Sequence, residues 1–299
     1  MRTVYLGTSE FASTVLERLA ASAHRPALVV TRPDRPRGRG RRLAPPPVAI
    51  AARELGIELD QPESVNADDA RARIAAAAPD LVCVCAFGAL IKEQLLDAHR
   101  MLNVHPSLLP RWRGAAPIER AIMAGDAETG VSIMEVTAGL DSGPVCLQER
   151  ELISPQDTYG TMAARLAAIG GELLVRALDE SPACRPQDDA LATYAEKISA
   201  RDRELDPERS AAELERRVRA LTPHIGAHVR LGGDDALGVR EARARAGSGL
   251  PAGAISFDGP VPALGCAEGE LELLVVQPPG KRPMAGEDFL RGRRGAGAR

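Results

Sequence analysis

Short apolar runs alternate with longer stretches in which apolar residues recur every three or four positions. Residues 2–7 (RTVYLG), 27–31 (ALVVT), 80–86 and 101–105 are compact and largely apolar, and they predict strands buried on both faces. Residues 10–21 carry apolar side chains at 11, 15, 16 and 19, and predict a helix, as do residues 47–55, 68–77 and 91–98. Strands that alternate with helices of about ten residues build parallel βαβ units. The fold class is therefore α/β: a Rossmann-like, doubly wound parallel sheet. Residues 179–208 are polar and interrupted by proline, which predicts a linker. Residues 210–221 follow as an amphipathic helix with Ala211, Leu214, Val218 and Leu221 on one stripe. Short alternating runs at 227–231, 237–240, 253–257 and 269–276, broken by glycine and proline, predict a small β-barrel. Residues 292–299 are expected to fray. The boundaries read as a first domain over 1–182, a linker over 183–203 and a second domain over 204–299.

Composition narrows the function classes. The chain has 299 residues, 44% hydrophobic and 26% charged, as in ordinary globular proteins. A formal net charge of -3 gives no whole-molecule attraction for nucleic acid, so any RNA contact must come from a local patch. Aromatics at 3% argue against a surface of stacked rings. The five cysteines (83, 85, 146, 184, 266) form no CxxC pair, and they read as reduced, mostly buried thiols of a cytoplasmic protein. Only Arg2 precedes the first apolar run, so no secretory leader is expected, and no apolar stretch is long enough for a membrane span. The five histidines show no metal-ligand spacing, so no metal is expected. Gly7-Thr8-Ser9-Glu10 keeps one glycine of the dinucleotide fingerprint, which does not predict a nicotinamide or flavin site.

The densest chemistry lies at the end of the fourth predicted strand. Asn103 and His105, at i and i+2, point to one face. An amide there can donate to a developing oxyanion, and an imidazole can carry a proton near neutral pH. Either residue alone reads as a strand cap or a satisfied structural histidine. Side by side, and followed by the proline-bounded loop Pro106-Ser107-Leu108-Leu109-Pro110, they read as a chemical site. Residues 31–43 (TRPDRPRGRGRRL) set six arginines against Asp34. Taken alone, such a run is as readily a solvated loop as a binding element, and its prolines and glycines predict a loop that a partner orders.

The segment 103–118 (NVHPSLLPRWRGAAPI) resembles the signature of the folate-dependent formyltransferases. Further motifs extend the resemblance along nearly the whole chain, toward those members that act on methionyl-tRNA: GTSEFA, the arginine loop, GDAETGVSIMEVTAGLDSGPV, TYAEKIS, and GKRPM with DFLRGR. The resemblance implies the formyltransferase fold with an OB-like C-terminal β-barrel that binds tRNA. It also implies transfer of formyl from 10-formyltetrahydrofolate to the free α-amino group of initiator methionyl-tRNA. The catalytic trio would be Asn103, His105 and Asp141. From its neighbours alone, Asp141 is equally a turn residue or a helix cap. Asn103 and protonated His105 would stabilise the oxyanion, while Asp141 would hold His105 charged and help relay the proton. Ser107, Leu108, Leu109 and Pro110 would border the folate. Arg39 would sit centrally in a loop at the tRNA acceptor end, flanked by Arg37, Arg41 and Arg42 as phosphate contacts. Lys281 and Arg282, with the face Arg216-Arg217-Arg219, would extend the track over the second domain.

One segment departs from the pattern. Thr222-Pro223-His224-Ile225-Gly226 stands where relatives usually carry a tryptophan-bearing Asn-Pro-Trp-Pro-Gly type of sequence. Rival readings are glycinamide ribonucleotide formyltransferase, 10-formyltetrahydrofolate hydrolase and a non-catalytic RNA-binding module. The first is normally one domain of roughly 200 residues. The arginine loop speaks against the first two and the trio against the third. A monomer is expected, since no oligomer seam is evident.

Overall fold

Buried β-branched and small residues dictate the first sheet. Thr3–Gly7 and Leu81–Cys85 are buried at every position, as strands covered by helices on both faces must be. The computed structural model describes residues 1–37, 40, 42–232, 235–247 and 249–296. The sheet orders its seven strands Val145–Leu152, Glu128–Glu135, Met101–His105, Leu81–Cys85, Thr3–Gly7, Pro26–Val30 and Glu58–Asp60. The five from Met101–His105 to Glu58–Asp60 are parallel, and Glu128–Glu135 runs antiparallel to Met101–His105. Strand order reverses between Thr3–Gly7 and Leu81–Cys85, the crevice at which doubly wound sheets take ligands. Thr8 closes that end by donating its hydroxyl to the Phe87 carbonyl at 2.8 Å. The Rossmann-like reading holds.

Helices cover the sheet where their apolar stripes require it. Glu10–Ala20 buries Phe11, Val15, Leu16 and Leu19, and Ser9 caps it by accepting from the Ala12 amide. The long helix Tyr159–Glu180 lies close on the strand bearing the candidate site: a Cβ at Gly170 would stand 2.8 Å from Cγ1 of Val104. Only a residue without a side chain permits that approach.

Contacts divide the chain into two compact units. The first comprises Met1–Pro117, Thr129–Leu152 and Ala163–Ala195, and the second Ile118–Glu128, Ile153–Met162 and Glu196–Arg299. Polar residues 183–195 therefore group with the first unit, where Tyr194–Ala195 pairs in parallel with Arg113–Gly114. In the second, the helix Ala211–Leu221 starts with a capping box between Ser210 and Glu213 and buries the predicted stripe. It packs on a curled antiparallel sheet ordered Ala227–Gly232, Asp235–Arg245, Glu270–Gln277, Ala263–Gly265 and Ile255–Ser256, with Met284–Ala285 also on Glu270–Gln277. This half-barrel is in keeping with an OB-like domain.

Several expectations need correction. Within the arginine segment, Arg35–Arg37 and Arg42–Ala44 pair antiparallel as a short hairpin, where a plain loop was expected. Pro36 is tolerated because a two-stranded ribbon leaves one edge unpaired. Gly38, Arg39 and Arg41 lie outside the described residues. Residues 286–296 form a helix with Leu290 buried, so the tail from residue 292 does not fray at once. Cys146 and Cys184 are joined by a disulfide, against the expectation of five thiols. Val145 and Arg185 pair antiparallel, which brings two cysteines 38 positions apart face to face, and spacing alone gives no hint of it. Cys83, Cys85 and Cys266 are free and buried as expected, and burial pushes the thiols of Cys83 and Cys85 up to about 12. Among the described residues, no helix is long and apolar enough to cross a membrane.

Candidate active site

The strand Met101–His105 sorts its side chains by alternation. Val104 faces the helix Tyr159–Glu180, so Asn103 and His105 project from the opposite face. Asn103 is half-buried, and among the described residues its amide makes no hydrogen bond. Its amide oxygen and both amide hydrogens are therefore available to a further partner. His105 is buried, and its Nε2 lies 2.9 Å from the Trp112 carbonyl. A carbonyl only accepts, so that bond assigns a hydrogen to Nε2 and leaves Nδ1 for chemistry.

Asp141 comes from the loop between the strands Glu128–Glu135 and Val145–Leu152 and meets His105 there. Its Oδ2 is 3.7 Å from Nδ1 of His105 and accepts the Gly114 amide at 2.8 Å. Its φ of +46° lies in the left-handed region that side chains other than glycine seldom occupy. Gly114, at φ +120°, allows the close approach: a Cβ there would stand 2.8 Å from the Ala195 carbonyl oxygen. Leu140, just before Asp141, is 62% exposed.

The loop after the strand is tied to itself. Ser107 is fully buried and donates to the Arg111 carbonyl at 2.6 Å, while Ser132 donates to the Ser107 carbonyl at 2.6 Å. Gln148 donates to the Leu109 carbonyl at 2.8 Å. Leu108 is half-buried above Gly130, where a Cβ would fall 2.6 Å from its Cδ2. Leu109 and Pro110 border a cavity of about 590 Å³ whose other walls are Val145–Gln148, Pro182, Ala183 and residues 185–188. Asn103, His105 and Asp141 are not among its lining residues, so this cavity says nothing of their chemistry.

The basic residues fare unevenly. Arg42 is exposed on the hairpin, only the backbone of Arg37 is described, and Lys281 and Arg282 are exposed in the second unit. Arg216, Arg217 and Arg219 do not form an outward face. They are half-buried and donate to the carbonyls of Met123, Asp202 and Asp157. Desolvation lowers the pKa of Arg217 and Arg219. His224, in the segment where the resemblance implied a tryptophan, stacks on Tyr159 with centroids 3.6 Å apart and pairs with Glu119 through Nε2 at 3.0 Å. Among the described residues, no cluster of His, Cys, Asp and Glu is suited to hold a metal ion.

Sequence reasoning passed over Gln187, whose amide reaches the Asp141 loop, because it sits in the stretch read as linker. No spacing or composition signal marks it.

Comparison with known proteins identifies the family. The family described as "Formyl transferase" matches residues 1–178, and "Formyl transferase, C-terminal domain" matches residues 197–294. The chain is 44% identical over 300 residues to a methionyl-tRNA formyltransferase of Ectopseudomonas mendocina, covering 98% of this chain and 95% of that one. It is 45% identical over 305 residues to the enzyme of the same name from Halorhodospira halophila, with 98% and 96% covered. Among solved structures, HypX from Aquifex aeolicus in complex with tetrahydrofolic acid superposes with a TM-score of 0.66 at 16% identity, covering 97% of this chain and 47% of that one, which speaks to fold alone. With one profile over more than half its length and relatives matched end to end, the chain belongs to the formyl transferase family.

Proposed function

We propose that this protein transfers the formyl group of 10-formyltetrahydrofolate to the free α-amino group of initiator methionyl-tRNA. The observation that carries the reading is Asn103, with its unengaged amide, on the same strand face as the buried His105, which pairs with the half-buried Asp141. Its setting is a chain similar from end to end to enzymes named for this reaction.

The donor set suits a formyl carbonyl and an amine. When bound, the folate supplies a formyl carbon on nitrogen, activated for attack by a second amine. Asn103 donates its amide hydrogens to the formyl oxygen as that oxygen gains charge. His105, held by Trp112 through Nε2, has Nδ1 beside the Asp141 carboxylate. The proton lost by the attacking amine reaches the leaving nitrogen through the His105–Asp141 pair, and the Asp141 carboxylate balances the charge on the ring in transit. The loop Ser107–Pro110 borders the folate as a prestiffened wall: Ser107 and Leu109 anchor it, while Leu108 and Pro110 offer surface. Leu140 adds exposed apolar area beside Asp141 for a flat ring. No metal takes part in this scheme.

The same reading assigns residues 1–182 to catalysis and 204–299 to tRNA binding; of the stretch 183–203 read from sequence as a linker, residues 183–195 group with the first unit. Arg37, Arg39, Arg41 and Arg42 would meet the acceptor end, with Lys281 and Arg282 extending the track. We expect a cytoplasmic monomer. Single-turnover formyl transfer by His105→Ala tests the core of this. The rate should fall about 10²- to 10⁴-fold while folate binding, measured by fluorescence titration, is retained. A rate near that of the parent protein would sink the assignment.

A further inference from the structure

Asp141 holds an unfavourable backbone conformation, and the structure shows what holds it there. The Gln187 amide nitrogen donates to the Asp141 carbonyl at 2.8 Å and to the Gly143 carbonyl at 2.7 Å. Two carbonyls both need a donor, which fixes the orientation of the amide. Its oxygen accepts from Nε of Arg113 at 3.0 Å. Arg113 is 3% exposed and is tied on its other side to Asp189 at 2.7 Å. The amide's two donors and its oxygen are thus all engaged, between a buried cation and the two carbonyls that bracket the turn. The segment carrying Gln187 is itself pinned: Val145 and Arg185 exchange backbone hydrogen bonds of 2.8 Å, and Cys184 is bonded to Cys146.

We infer that Gln187 is a positioning residue for the reaction. It holds the 141–143 turn in its left-handed form so that the Asp141 carboxylate lies between the Gly114 amide and Nδ1 of His105. Without it, the αL backbone of Asp141 relaxes and the carboxylate leaves His105, while the binding surfaces stay in place. The inference rests on the reading of Asn103, His105 and Asp141 as the reacting trio.

The test is a double-mutant cycle in the formyl-transfer assay, with Gln187→Ala, Asp141→Asn and the combined variant. Gln187→Ala should lower kcat roughly 10- to 100-fold with KM for both substrates unchanged. In the Asp141→Asn background it should lower kcat no further, because no carboxylate is left to position. Gln187→Glu provides a second reading that does not depend on lost packing. It keeps the size and the partner for Arg113 but cannot donate to the two carbonyls, so it should fail in kcat as the alanine variant does, with KM for both substrates unchanged. Hydrogen exchange at the Gly114 amide should quicken in both Gln187 variants. A parent-like kcat in Gln187→Glu, or effects that simply multiply in the combined variant, would overturn the inference and leave the trio standing. A parent-like kcat in Asp141→Asn would instead overturn the trio itself.

Discussion

The side chain of Asn103 makes no hydrogen bond among the described residues, so its worth to folding and its worth to chemistry separate. Replacing it by alanine strands no buried partner, and thermal unfolding should move by no more than about 0.5 kcal/mol. On the proposed function, the same change removes the donor to the developing oxyanion and should lower kcat about 10²- to 10³-fold. Unfolding and single-turnover rate, measured on one preparation, check both halves. Parallel losses in stability and rate would make Asn103 a structural residue. At this scale the sequence is informative where chemistry is local. Asn103 and His105 share a strand face because alternation puts them there. The approach of Asp141 to His105 depends on hydrogen bonds from Gly114 and Gln187, which are 27 and 46 positions from it, and no spacing rule reveals them.

Elements were legible in proportion to how fully their residues commit to one environment. Strands such as Leu81–Cys85 are apolar throughout because both faces are covered, and they stand out. Glu58–Asp60 does not, since a three-residue edge strand pairs on one side only and can be polar. The helix Tyr159–Glu180 carries a constraint of its own at Gly170. Gly170→Val should cost about 1–3 kcal/mol by forcing the helix off Val104 and should lower activity through the strand Met101–His105, as unfolding and kcat together would show. In the second unit, Arg120 donates to Asp202 at 2.8 and 3.2 Å, and Ser199 adds further bonds. The Arg120 guanidinium holds the Asp202 carboxyl well below the usual carboxylate range. A depressed pKa contributes stability that is complete above the unfolded value of about 4 and fades as the pH falls through the folded value. Asp202→Asn should therefore destabilise the protein by about 1–3 kcal/mol at pH 7, and the gap should close only in strongly acid solution. Urea unfolding between pH 7 and pH 3 checks the sign; a gap that widens on acidification would refute it.

For the whole molecule, the two folds were legible from rhythm alone, while the substrate was legible only through resemblance. A net charge of -3 gives no field to draw in RNA, so binding has to rest on local arginines. Two arginines of the proposed hairpin contact set, Arg39 and Arg41, lie outside the described residues, and there the sequence remains the guide. Arg39→Ala should raise KM for the tRNA, leave KM for the folate unchanged and flatten the salt dependence of binding, as titrations at several ionic strengths would record. By contrast, the inward-turned Arg216, Arg217 and Arg219 are expected to affect folding more than RNA affinity. The most direct measurement supplies the purified protein with formyl-labelled 10-formyltetrahydrofolate and, in parallel, methionyl-tRNA, glycinamide ribonucleotide or no acceptor. Label should appear on the α-amino group of methionyl-tRNA alone. Label on glycinamide ribonucleotide instead, or folate consumed equally fast with no acceptor, would contradict the proposed function.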